Sequence, residues 1–120
     1  MFQTKERFAV YITTNKNKTV LYTGITNDLE SRIIEHYMNR NNKKTFAGRY
    51  NAYFLIYYES FAYVRDAIAR EKQIKDWRRE KKVELIDKFN PNWELLNERL
   101  FGYWPPPPHK LKKRTNDYLE

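Results

Sequence analysis

Residues 7–38, RFAVYITTNKNKTVLYTGITNDLESRIIEHYM, set a strand, a turn, a second strand and a helix in direct succession. From Arg7 to Thr14 the residues alternate: Phe8, Val10 and Ile12 take one face of an extended chain, and Ala9, Tyr11 and Thr13 take the other. Asn15-Lys16-Asn17-Lys18 is polar turn chemistry. Thr19 to Thr23 then resumes β-prone residues, so the pair reads as a hairpin. Gly24 closes the second strand, where a missing Cβ allows a bend or a close approach. Asn27 offers an N-cap with Glu30 three positions later, which predicts a helix to about Met38 with the apolar stripe Leu29, Ile33 and Tyr37.

Beyond this unit, Asn39 to Asn51 reads as a polar basic loop holding Arg40, Lys43, Lys44 and Arg49 with no acidic residue. Tyr53 to Tyr58 is continuously apolar, as expected of a strand covered on both faces. Helices are expected from about Tyr63 to Trp77 and from about Arg79 to Phe89. Pro91 ends the latter, since proline disfavours helical geometry in the residue before it. Asn92 to Leu100 reads as a short closing helix. The order is β-β-α-β-α-α. Two hairpin strands and one central strand would form a small three-stranded antiparallel sheet flanked by helices, an α+β fold.

Composition narrows the function. The 120 residues suit one domain, and an aromatic content of 17% argues for a folded core despite 32% charged residues. With no cysteine, disulfides, thiol catalysis and thiolate zinc sites are excluded. Two histidines, His36 and His109, are too few for a multi-histidine metal centre. Three glycines cannot write a P-loop or a dinucleotide fingerprint. The longest apolar run, Ala52 to Tyr58, is far short of a membrane span, and Met1 to Arg7 lacks a secretory apolar stretch. A soluble cytoplasmic protein without a membrane partner is therefore expected. The net charge of +8 points to a polyanion, of which nucleic acid is the commonest.

One residue stands out on the second helix. Val64, Ala67, Ile68 and Ile74 recur at the offsets of a buried face, and Glu71 completes that series. A carboxylate on an apolar stripe must be paired, protonated or metal-bound. One reading is an ion pair with a basic neighbour. The other is a ligand for a hard divalent cation that keeps most of its waters and shares itself with a substrate phosphate. Arg32 and His36, four apart, share one face of the first helix. Tyr11 and Tyr22 lie on the hairpin strands.

The combination resembles the GIY-YIG nuclease family, in particular its small stand-alone bacterial members, which are similar to the N-terminal nuclease domain of the excision-repair incision subunit. Ala9-Val10-Tyr11 and Tyr22-Thr23-Gly24 stand for the two motif segments, followed by Arg32, His36 and Glu71. Leu21 to Leu29, Arg70 to Lys75 and Asn90-Pro91-Asn92-Trp93 also read like those small members. Ala9 replaces a motif glycine, Thr23 a motif isoleucine, and Ile25 stands where some relatives carry lysine.

The resemblance implies a metal-dependent endonuclease, with DNA ahead of RNA as substrate and DNA repair as a setting. Tyr11 and Tyr22 would be the motif tyrosines and Gly24 the structural glycine. Arg32 would be the catalytic arginine, His36 its companion one turn later, and Glu71 the ligand of a single Mg²⁺ or Mn²⁺. Asn90, with Asn92 as the other register, would be a late polar contributor. Arg32 would stabilise phosphate charge. Tyr22 is favoured as base, with Tyr11 or His36 positioning or relaying the proton; His36 has the more suitable ordinary pKa, so the assignment stays open. The alternative is a nucleic-acid-binding module that keeps the fold without turnover.

Lys43, Lys44, Arg49, Arg70, Lys72, Lys75, Arg78 and Arg79 could grip a nucleic-acid backbone without reading bases. The nuclease-like domain is expected over residues 1–101, with a Pro-rich, basic tail over 102–120. Pro105 to Pro108 favours polyproline II geometry and could engage a protein partner. The tail otherwise reads as a mobile, solvated extension whose Lys110, Lys112, Lys113 and Arg114 could add phosphate contacts.

Overall fold

The strand Phe8–Thr14 (β1) carries no charged residue and ends in two threonines, a composition suited to burial on both faces. The computed structural model, which describes residues 7–111, places it in the middle of the sheet. Leu21–Thr26 (β2) pairs with it on one side and Phe54–Phe61 (β3) on the other, both antiparallel, in the order β2-β1-β3. The expectation that the third strand would be central is thus corrected. Its apolar run is broken by Glu59 and Ser60, and the last half of β3 is only partly buried.

An edge strand leaves backbone groups without a ladder partner. Here the chain after β3 returns to cover them. Asn97 accepts from the Leu55 amide at 2.7 Å and donates to the Tyr53 carbonyl at 3.0 Å, while the Leu96 amide donates to the Leu55 carbonyl at 2.8 Å. Pairing slips between Ile12 and Thr13, leaving Ile56 as the extra residue of a bulge. Asn90 donates to the Ile56 carbonyl at 3.1 Å.

The helices are Leu29–Met38 (α1), Phe46–Arg49 (α2), Val64–Lys75 (α3), Arg79–Phe89 (α4) and Asn97–Phe101 (α5). Several differ from expectation in instructive ways. The cap of α1 is Asp28, not Asn27: its carboxylate accepts from the Ser31 amide at 3.1 Å and the Ser31 hydroxyl at 2.9 Å. The supposed loop of residues 39–51 contains α2, capped by Thr45, which accepts from the Gly48 amide at 3.0 Å. The closing helix begins five residues later than expected, because residues 92–96 run along β3 first.

On α3, Ala67 and Ile74 are buried, but Val64 is 47% and Ile68 is 40% exposed. At 3.6 residues per turn, Ala67, Glu71 and Ile74 share roughly 60° of arc, and that narrow strip faces the sheet.

The sheet separates two apolar clusters. Val10, Ile12, Ile56, Ala67, Ile74 and Ile86 form one, with α3 and α4. Tyr11, Ile33, Leu55 and Leu96 form the other, with α1 and the segment around α5. Trp77 and Trp93 pack on the first cluster, as core residues would.

The segment after α5 is not a solvated extension as far as Leu111. Trp104 meets Tyr37 edge-on at 5.5 Å, the Tyr103 hydroxyl bonds Glu30, Lys110 pairs with Glu30 at 3.5 Å, and Pro106 is buried. Lys112, Lys113 and Arg114 lie outside the described residues.

Candidate active site

Gly24 lies inside β2 rather than closing it, directly opposite Tyr11 in the β1–β2 register. A Cβ here would stand 2.9 Å from Tyr11 Cε2 and closer still to the ring's hydroxyl end. The glycine is needed for space. It lets the fully buried Tyr11 ring lie across β2 and point its hydroxyl toward α1.

There the hydroxyl meets two side chains. It lies 2.8 Å from His36 Nε2, and Arg32 Nε donates to it at 3.4 Å. Arg32 Nη1 also donates to Glu35 at 3.2 Å. The i, i+4 spacing of Arg32 and His36 on α1 is what brings both to one phenol. Burial pushes the Tyr11 phenol well above its ordinary pKa, more than Arg32 offsets. Burial, and then the Arg32 charge, push His36 down to about 4. At neutral pH both groups are therefore uncharged. Arg32 Nε can only donate, and a neutral imidazole offers one bare nitrogen, so the arrangement that satisfies all three has Tyr11 donating to Nε2.

Tyr22 completes the group. Its ring is 6.3 Å from Tyr11, 5.2 Å and edge-on to His36, and stacked on Phe46 at 6.1 Å. Tyr22, Arg32, Glu35, His36, Asn39, Thr45, Phe46 and Ala47 line a cavity of about 260 Å³. Tyr11 supports it from beneath.

Glu71 stands apart, on α3, which packs on the other face of the sheet. Its side chain is 15% exposed and its carboxylate pairs with Lys75 at 3.0 Å, the ion pair that periodicity left open. That pair does not exhaust a carboxylate: Lys75 is half exposed at the end of a flexible stem. A single hard oxygen donor suits an ion that keeps most of its coordination for water and substrate, as Mg²⁺ does. Among the described residues no group of three or more His, Asp or Glu could hold a metal.

The remaining expected residues are dispersed. Asn90 is buried and engaged with backbone: besides Ile56 it donates to the Glu94 carbonyl at 2.8 Å and accepts from the Glu94 amide at 3.0 Å. Arg70 is held by Glu59 at 2.9 Å and lies over the Trp77 ring, so it is the least available of the expected cations. Lys43, Lys44, Arg49, Lys72, Arg78 and Arg79 are exposed. Phe46, Glu35 and Asn97 were missed by sequence reasoning. The only sequence signal for Phe46 was a pair of aromatic residues, Phe46 and Tyr50, in an otherwise polar, basic run.

Comparison with known proteins agrees with this geometry. The family model for the GIY-YIG catalytic domain matches residues 7–84. A UPF0213 protein of Bacillus pumilus is 37% identical over 78 residues, 65% of this chain and 78% of that one. One from Staphylococcus saprophyticus is 37% identical over 81 residues, 68% of this chain and 95% of its own length. A third, from Clostridium perfringens, is 43% identical over 77 residues, 64% of this chain and 80% of that protein. No solved structure matches significantly. With the matched segment spanning both tyrosine strands, α1 and Glu71, the chain belongs to the GIY-YIG family.

Proposed function

We propose that this protein is a metal-dependent endonuclease that hydrolyses phosphodiester bonds in DNA. The observation that carries the reading is the Tyr11–His36–Arg32 hydrogen-bonded group, anchored on the buried Tyr11 and set behind Tyr22 at an open cleft.

Hydrolysis adds water to phosphorus and breaks the P–O3′ bond. Arg32 is the phosphate-binding group. Two of its five N–H donors are engaged by Tyr11 and Glu35, and the rest of the planar fork is free to take non-bridging oxygens. Tyr22 orients the attacking water, whose proton passes to solvent while the leaving O3′ takes one back from solvent; Tyr22 lines the cleft, whereas Tyr11 is buried and held protonated. Tyr11 and His36 are positioning residues that hold the Arg32 fork and the Tyr22 ring. Glu71 would hold the divalent ion, which when bound supplies Lewis-acid polarisation of a phosphate oxygen and of the leaving O3′. Among the described residues β2 is an edge strand, with α1 and α3 packed on opposite faces of the sheet. Lys43, Lys44 and Arg49 continue the positive surface on the α1 side, and Lys72, Lys75, Arg78 and Arg79 on the α3 side.

The test is cleavage of plasmid, single-stranded and branched DNA with Mg²⁺ or Mn²⁺, with EDTA as control. Cutting should require the metal and fall by about a hundredfold or more in Glu71→Ala and in Arg32→Ala. If wild type and Glu71→Ala bind DNA equally and neither cuts, the chain is a binding module.

A further inference from the structure

The mouth of the cleft carries aromatic surface that the hydrolytic reading does not use. Phe46, the first residue of α2, is 49% exposed and Tyr50, its C-cap, 43%; they lie one turn apart with ring centroids 4.9 Å apart. Phe46 stacks on Tyr22 on its inner side, so three rings step outward from the cleft to solvent. Their support is firm. Thr45 caps α2, the Asn41 amide bonds the Gly48 carbonyl at 3.0 Å, and the Ala52 amide bonds the Ala47 carbonyl at 2.8 Å. A Cβ at Gly48 would lie 2.5 Å from the Asn42 carbonyl oxygen and 2.6 Å from that of Asn39, so the short helix is pressed against the loop before it.

The charge along this segment of the chain is of one sign. Arg40, Lys43, Lys44 and Arg49 are exposed in the same segment, and no acidic residue occurs from Asn39 to Tyr58. Exposed rings framed by cations match a chain of phosphates with flat apolar groups between them. In a duplex each base face is already stacked on its neighbour, so such a ring is filled only by an unpaired base.

We propose that Phe46 and Tyr50 form a nucleobase-stacking platform at the mouth of the cleft, which takes an unpaired base of a single strand while the Lys43–Arg49 cations hold its phosphates. The identity of the ligand rests on the nuclease reading, and the platform deepens it by selecting single-stranded segments for the Arg32 site.

Binding measured in EDTA separates this from cleavage. A short labelled oligothymidylate and a duplex of equal length are titrated by fluorescence anisotropy, and a second oligonucleotide carries 2-aminopurine, whose emission falls on stacking. Wild type should quench the 2-aminopurine. Phe46→Ala and Tyr50→Ala should each weaken single-strand binding by about tenfold and duplex binding by less than about twofold. Phe46→Trp should restore the single-strand affinity. Phe46→Leu, which keeps apolar bulk without a π-face, should not; it also guards against a folding defect in the alanine variant.

Unquenched 2-aminopurine, wild-type affinity in the alanine variants, or equal loss for both DNA forms would overturn the platform. So would a dimer that dissociates in Phe46→Ala, which would assign the rings to a second copy. Cleavage with an indifferent platform sinks only this proposal. Stacking without any metal-dependent cutting sinks only the nuclease reading.

Discussion

At the scale of single residues, the cleft is governed by how the fold controls charge. His36 is a histidine that the folded protein keeps neutral, with its pKa pushed from 6.5 to about 4 by burial and by Arg32. The unfolded chain binds a proton in this window and the folded chain does not. Stability therefore falls as pH drops from 6.5 toward 4, by about 3 kcal/mol from this group alone. Urea unfolding of wild type and His36→Phe at pH 7 and pH 4 measures it. The loss between the two pH values should be about 3 kcal/mol smaller in the variant, and equal losses would refute a neutral, buried His36. Arg32 could be matched to the family's arginine from its place on the first helix, but its role as the donor beneath Tyr11 depends on the hairpin register.

Elements in this protein are held in place by side chains from far along the chain. Asn97, fully buried, supplies the Leu55 amide with an acceptor and the Tyr53 carbonyl with a donor, doing for the edge of β3 what a fourth strand would do. Asn97→Ala should cost about 2–4 kcal/mol in denaturant unfolding, since two buried backbone groups lose their partners. Asn97→Asp, which keeps the acceptor but buries a carboxylate with one oxygen against the Tyr53 carbonyl, should cost at least as much as Asn97→Ala at pH 7. A cost for Asn97→Ala below about 0.5 kcal/mol would mean that water replaces it readily. Nothing in the periodicity of residues 92–100 marks Asn97, because its function is defined by partners more than forty positions earlier.

For the whole molecule, the segment after α5 belongs to the body of the fold. Trp104 closes the lower cluster against Tyr37, Tyr53 and Phe101, and Tyr103 and Lys110 meet at Glu30 on α1, the helix that carries Arg32 and His36. Trp104→Ala should lower stability by about 2 kcal/mol, a Tm decrease on the order of 10 °C in thermal unfolding. An unchanged Tm would return the segment to the status of a solvated extension.

The amino-acid sequence by itself determined the hairpin, the order of the elements apart from α2, and the shared helix face of Arg32 and His36, while Tyr11 and Tyr22 joined them through the family resemblance. Strand alternation, i, i+4 spacing and turn chemistry are local, and a linear reading captures local rules. It also identified Glu71 as a carboxylate on a buried strip. Tertiary structure decided that β1 is the central strand, because β1 and β3 both open on apolar runs and the order of pairing sets which one lies inside. The same holds for Gly24, where the need for a missing Cβ comes from a tyrosine across the sheet rather than from its own backbone. It holds again for Asn90, whose amide answers a carbonyl freed by a bulge. Phe46 became legible only when α2 folded against the loop before it and set an exposed ring beside Tyr22. In each case the deciding contact joins residues distant in the chain, and no periodicity records it.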